Sequence, residues 1–202
     1  MLRKALTSLS LLSITAFTPL NAEEKGTYFV GSIGYGQMQD IDIAASLGGG
    51  EFNFDPGFSG EFGIGYDFGK IRTEFTYDAT NTDLTTVQGV TTDIGVDVST
   101  WMVSAAYDWR ADKKWQPYLG AGVGQSTIEV DLAKTIKSVA VVVDDDNITS
   151  FKFKAGVNYA ADENLDVYGE LWGQTFDDFT IGTLQFEDCG MAGISLGLRF
   201  KL

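Results

Sequence analysis

The residues Gly190 to Leu202, GMAGISLGLRFKL, alternate with a period of two. Ala192, Ile194, Leu196, Leu198, Phe200 and Leu202 fall on one face, and Met191, Gly193, Ser195, Gly197, Arg199 and Lys201 on the other. Successive side chains leave a strand on opposite sides, so this pattern is a β-strand signature. Its apolar face runs to the final residue with no polar tail to shield it. In water, an edge strand with a bare apolar face invites aggregation. A strand that closes a barrel inside a lipid bilayer turns the same face to lipid.

The start of the chain fits export. Met1-Leu2-Arg3-Lys4 is basic, Ala5 to Phe17 carries no charge, and Thr18-Pro19-Leu20-Asn21-Ala22 supplies a breaker and a small residue. This layout predicts a secretory signal peptide over residues 1–22 and a single barrel domain over 23–202. An uncharged run of about 13 residues is too short to span a bilayer as a helix. A mature chain that sits in a membrane does so as a closed β-barrel, the other structure that satisfies every backbone group in lipid. Loss of Arg3 and Lys4 takes the formal charge from −14 to about −16. Such acidity argues against a nucleic-acid partner. Cys189 is the only cysteine and there is no histidine, which leaves no internal disulfide and no Cys-based metal site.

Alternation recurs along the chain. Phe58, Gly60, Phe62, Ile64, Tyr66 and Phe68 share one face, opposite Ser59, Glu61, Gly63, Gly65 and Asp67. Phe68-Gly69 forms a tight turn, and Ile71, Thr73, Phe75, Tyr77 and Ala79 continue the apolar face, with Arg72, Glu74, Thr76 and Asp78 behind. Trp101 to Trp109, Tyr118 to Gly124, Phe151 to Tyr159 and Leu165 to Leu171 read the same way. Ile94, Val96 and Val98 have the opposite parity to Trp101 and Val103, which predicts a bulge near Val98 to Thr100 or a strand that begins later. Thr27 to Gln37 is a strand of ambiguous facing. The sum is an all-β, eight-stranded antiparallel up-and-down barrel. Long connections run roughly over 38–57, 80–92, 127–149 and 174–188, and short ones centre on 68–69, 110–116 and 160–164. Long loops outside and short periplasmic turns put Asp83, Asp144 and Asp178 outside the cell and Ala161 in the periplasm. Tyr66, Phe68, Trp109, Trp115, Tyr159 and Phe200 beside the short turns suit an interfacial girdle.

A soluble eight-stranded barrel alternates too, with its apolar face inward. Glycine separates the two cases. Gly63, Gly65, Gly156, Gly193 and Gly197 lie on the charged face, as do Gly120, Gly122 and Gly124. On a solvent-exposed face glycine only weakens a strand, whereas inside a narrow barrel it relieves crowding. The charged face is therefore inside.

Tyr107-Asp108-Trp109, a short turn and Pro117-Tyr118-Leu119-Gly120-Ala121-Gly122-Val123-Gly124 resemble the central hairpin of opacity-type outer-membrane barrels, built like OmpA and OmpX. Ser195-x-Gly197-x-x-Phe200-x-Leu202 resembles the C-terminal signal by which such barrels are recognised for insertion, with Leu202 in place of the usual terminal aromatic. The resemblance covers about Tyr28 to Leu202. It implies the outer membrane of a Gram-negative cell, contact with outer-membrane lipid and lipopolysaccharide, and delivery by the barrel-assembly machinery. It implies no single task, because members serve as adhesins, immune-evasion proteins or envelope stabilisers.

No catalytic, cofactor-binding or metal-binding set emerges. Asp144-Asp145-Asp146-Asn147 lacks the ligand order of a Ca²⁺ loop and reads as a solvated acidic loop. Gly48-Gly49-Gly50 has no following Lys-Ser/Thr and is no phosphate cradle. Outer-membrane enzymes of similar build use a histidine to activate a serine or a water, and this chain has none. The inward face pairs Glu61, Glu74, Asp166 and Glu170 with Arg72, Lys152, Lys154 and Arg199, a balance of four and four. A turn joining Tyr159 to Leu165 would set Lys154 directly opposite Glu170. These residues predict a non-enzymatic envelope protein whose lumen is plugged by charge pairs and whose acidic external loops meet a host or envelope partner. The alternative is a small low-conductance porin.

Overall fold

The computed structural model describes residues 25–202 except 40, 44–49, 88–89, 110, 112, 132–140, 143–146, 182–183 and 187–188. The expected signal peptide and Asp144 to Asp146 lie outside the described residues. Eight long strands make the barrel: β1 Gly26–Met38, β2 Gly57–Asp67, β3 Ile71–Val87, β4 Val90–Asp108, β5 Trp115–Asp131, β6 Ile148–Ala160, β7 Leu165–Phe176 and β8 Gly190–Lys201. Each pairs antiparallel with its neighbours in sequence, and β1 pairs with β8 from Tyr28↔Lys201 to Met38↔Met191, which closes the sheet. Closure leaves no barrel edge in lipid. The backbone N–H of Leu202 donates to Thr27 O at 3.0 Å, so the chain end is tied to the first strand.

The turns at one end are short. Gly69 takes φ 103°, a conformation glycine adopts without strain. Its N–H donates to Asp67 Oδ1 at 2.7 Å. At the other end the connections carry further β-structure. Strand Gly50–Asp55 pairs with β3, Val141–Val142 with β5, and Phe179–Ile181 with Leu184–Phe186. The stretch 80–92, expected to be a loop, is mostly a hairpin, because pairing of β3 with β4 continues to Val87↔Val90.

Facing is uniform along the strands. Phe29, Ile33 and Tyr35 of β1 point outward while Tyr28, Val30 and Met38 are buried, which resolves the facing of the first strand. Phe62, Phe75, Trp101, Phe153, Leu171, Leu196 and Phe200 stand on the outer wall. The bulge or late start expected near Val98 to Thr100 does not occur: β4 keeps its register with β5 from Gly95 to Asp108. Val96 and Val98 face inward on the same parity as Thr100, Met102 and Ser104. They break the rule that inward means polar because, at this end, the interior is apolar. Met38, Phe54, Leu84, Val96, Val98, Ile128, Ile148, Trp172, Phe176, Cys189 and Met191 form one buried cluster there.

Inward glycines are slots for rings. Tyr28 lies directly opposite Gly65, Tyr118 opposite Gly156, Tyr168 opposite Gly197, and Trp172 opposite Gly193. A Cβ on any of these glycines would overlap the ring facing it. Four of the large interior side chains therefore fit only because the neighbouring strand has no side chain at that height. Gly173 is the contrasting case, facing outward, where an added methyl would meet nothing within 4 Å. Gly197→Val should displace the Tyr168 ring and destabilise by about 1–3 kcal/mol, the usual range for overpacking. Gly173→Ala should stay within about 0.5 kcal/mol of wild type. Urea unfolding of the two variants in lipid vesicles checks the contrast, and equal midpoints would refute it.

Candidate functional site

The lumen is built in layers, and each layer draws on several strands. Nearest the short turns, Arg72 donates from Nε and Nη2 to Asp108 Oδ2 and Oδ1 at 2.6 and 2.8 Å, a bidentate pair. Asn158 Nδ2 donates to Gln116 Oε1 at 2.8 Å and Asp166 Oδ2 at 3.0 Å. Lys201 Nζ lies 3.2 Å from Asp166 Oδ1. A polar cavity of about 370 Å³ opens at this end, floored by Arg72, Asp108 and Asn158.

The middle layer is a charge network. Lys154 Nζ donates to Glu61 Oε2 at 2.9 Å and sits 3.6 Å from Glu74 Oε2 and 4.0 Å from Glu170 Oε1. Lys152 Nζ donates to the same Glu61 oxygen at 3.4 Å and lies 3.2 Å from Asp78 Oδ1. Arg199 donates from Nε to Glu74 Oε1 at 3.1 Å and from Nη1 to Asn158 Oδ1 at 3.0 Å. Its guanidinium is 3.8 Å from the Tyr168 ring centre, a stacking geometry open to arginine but not lysine. Three tyrosines complete the acids: Tyr28 donates to Glu74 at 2.8 Å, Tyr118 to Glu170 at 2.7 Å and Tyr168 to Glu61 at 3.4 Å. None of the charged residues in this layer is more than 8% exposed.

Above it, hydroxyls bridge β4, β5 and β6. Thr100 Oγ1 and Ser126 Oγ are 2.7 Å apart, and Ser126 donates to Ser150 at 2.8 Å. Gln174 Nε2 donates to Thr100 at 3.1 Å and Ser126 at 3.2 Å. Trp172 Nε1 donates to Ser195 Oγ at 3.0 Å. The apolar cluster then covers this layer.

The structure places Glu61, Arg72, Glu74, Lys152, Lys154, Asp166, Glu170 and Arg199 together inside the barrel. It corrects two points. Lys154 is opposite Trp172 and Glu170 opposite Gly156, because the β6–β7 turn pairs Ala160 with Asp166, two places from the expected register. The main partner of Lys154 is Glu61, across the lumen. The balance of four and four also fails. Asp78 and Asp108 are buried on the inward face too, which makes six acids to four bases. Parity alone placed both inside. The buried aromatics needed more, since an aromatic on a polar face is explained only once register sets it against a glycine. Of the C-terminal motif, Ser195 and Gly197 face inward and are buried, while Phe200 and Leu202 are on the outer wall. Cys189 is buried in the apolar cluster. Among the described residues no group of three or more acids, cysteines or histidines is arranged to hold a metal.

The sequence matches the profile of the outer membrane protein beta-barrel domain over residues 5–200. No curated protein matches it. Among solved structures, Neisserial surface protein A superposes with a TM-score of 0.62 at 20% identity, over 89% of this chain and 100% of its own. OprG from Pseudomonas aeruginosa gives 0.54 at 12% identity, over 88% and 97%. AlkL, solved in DMPC lipid bilayers, gives 0.50 at 13% identity, over 93% and 97%. At these identities the likeness is one of fold.

Removing one member of a buried ion pair costs about 3–5 kcal/mol, because it strands the other charge. Lys154→Met should therefore destabilise the barrel by about that much. Lys154→Met combined with Glu61→Leu should recover part of the loss, and more of it than Lys154→Met with Glu170→Leu. Urea midpoints of the three variants test this order, and equal recovery by both doubles would contradict the register seen here.

Proposed function

We propose, for a chain that belongs to the outer membrane protein β-barrel domain family and resides in the bacterial outer membrane, a non-enzymatic surface role exerted from the long-connection end. That end faces the cell exterior in this reading. Residues 1–22 are the export signal, and the C-terminal strand presents Phe200 and Leu202 to the assembly machinery. Outer-membrane lipid and lipopolysaccharide surround the wall, and a host or envelope partner meets the exposed connections.

The observation that carries this reading is the closed lumen. A charged layer with no residue above 8% exposure lies beneath an apolar layer, and an eight-stranded barrel is only wide enough to be filled by side chains. A lumen filled in this way among the described residues argues against transport through it and favours the outer surface as the part that acts. Asp55, Asp83, Asp97, Glu129 and Asp178 are exposed at the long-connection end, where the described residues include no lysine or arginine. The absence of histidine from the chain supports a non-enzymatic reading, since a serine or water there would lack its usual activating base. A small porin is the second reading. The polar cavity of about 370 Å³ at the short-turn mouth favours it.

Two measurements bear on these readings. In a Cys189→Ser background, an impermeant maleimide should label Asp83→Cys on intact cells and Ala161→Cys only after the outer membrane is permeabilised. The reverse pattern would invert the topology. Purified protein in a planar bilayer should give no steady open state, and a stable, salt-dependent conductance would favour the porin.

A further inference from the structure

Among the described residues, the middle of the lumen carries one acid more than its bases answer. In charge, Arg72 offsets Asp108 and Lys201 offsets Asp166, whose second oxygen also accepts from Asn158. What remains is Glu61, Glu74, Asp78 and Glu170 against Lys152, Lys154 and Arg199. Hydrogen bonding locates the surplus. Glu74 accepts from Arg199 and Tyr28, Glu170 from Tyr118, and Glu61 from Lys152, Lys154 and Tyr168. Asp78 has Lys152 Nζ beside Oδ1, yet neither of its carboxylate oxygens accepts a hydrogen bond.

Asp78 also stands directly across the β2–β3 ladder from Glu61. Like charges in that relation repel at about 5 Å between Cβ atoms; the lysine they share cancels only one of them, and Lys154 on Glu61 is divided with Glu74 and Glu170. Two inward hydroxyls sit beside the pair without partners: Ser59 Oγ, two residues from Glu61, and Thr76 Oγ1, two residues from Asp78. Both side chains are buried, and so is Asp78. A buried polar atom without a partner is destabilising, and the two unpartnered Asp78 oxygens, with an unpartnered hydroxyl on either side along the strands, mark a place that takes a positive ligand. The remaining groups around the pair are already committed: Tyr28 from β1, Glu74 from β3, Tyr118 from β5, Lys154 from β6, Tyr168 and Glu170 from β7, and Arg199 from β8. From β4 the neighbour is the uncharged Thr100, opposite Asp78.

We propose that Asp78 and Glu61 together bind one further unit of positive charge, either a shared proton or a monovalent metal cation. The surplus is a single charge, which excludes a divalent ion on charge balance. Oxygen donors suit both sources: a proton lies between the two carboxylates, and a hard cation draws on the carboxylate oxygens with, at most, one of the flanking hydroxyls. The site is independent of which partner meets the outer surface and of whether the barrel conducts.

The test is urea unfolding of the full barrel in phosphatidylcholine vesicles at fixed ionic strength, in sodium, potassium or choline chloride. If the ligand is a proton, the wild-type folding constant falls with rising pH by up to about tenfold per pH unit, whichever salt is used. If it is a metal, stability at fixed pH rises when sodium or potassium replaces choline. Asp78→Asn keeps the shape and removes the surplus charge, so it should fold and lose whichever dependence the wild type shows. Infrared spectra of the wild type give a second readout that needs no variant: a protonated-carboxyl band that shifts in D₂O marks the proton. The proposal is overturned if the wild type shows neither that band nor any preference among the three salts. It is equally overturned if Asp78→Asn retains the full wild-type dependence.

Discussion

Lys154 holds the interior together. Its ammonium reaches carboxylates from three other strands, Glu61 on β2, Glu74 on β3 and Glu170 on β7. A buried charge is tolerated only where partners and hydrogen bonds replace the water it has lost. Here each of those carboxylates takes a tyrosine hydroxyl as well, and Arg199 shares Glu74. The network therefore ties together strands that never pair directly. The closed ladder fixes neighbours, and the charges fix the cross-section.

That cross-section is narrow, and glycine makes it usable. A tyrosine ring on one strand lies over the glycine opposite it on the next, three times around the wall, and Trp172 repeats the pairing with Gly193. Each ring then turns its polar atom into the interior: the three hydroxyls meet acids in the charged layer, and the Trp172 indole meets Ser195 in the layer above it. Ring and glycine are a single device in which the missing side chain makes room for the large one. The same geometry explains why glycine is frequent on the charged face and why Tyr28 is inward although its neighbours in sequence look apolar.

Much of this is legible in the sequence because alternation is local. The wall, the tight turn at Gly69, the inward glycines and the eight charged residues all follow from period-two parity within single strands. Register is not local. Whether Lys154 faces Glu170 or Trp172 depends on a two-residue difference in how the 160–165 turn closes, and composition does not encode that. Nor does parity reveal a change of interior chemistry along the axis. Val96 and Val98 look misplaced only if the lumen is polar throughout, whereas its upper layer is an apolar plug. The stretch 80–92 reads as a loop because Asn81, Asp83 and Gly89 are weak strand formers, yet its threonines suit a strand, and pairing with β4 and a flanking strand carries it as β-structure.

The order of the layers has a consequence for how the barrel could ever open. A path along the axis would cross the Arg72–Asp108 pair, the Lys154 network, the Thr100–Ser126–Ser150 hydroxyl chain and the apolar cluster in turn. These seals differ in kind. Salt weakens ion pairs that water can reach but hardly touches buried ones, and nothing that loosens an ion pair loosens packed Phe54, Phe176 and Met191. A single rotamer change at one layer leaves the other three shut. Conduction would need a concerted rearrangement across strands that the charge network ties together, and that rearrangement would strand several buried charges at once. The described interior is thus suited to holding the wall in shape, and the partner proposed for this chain would meet connections beyond the apolar layer, where contact leaves that interior undisturbed.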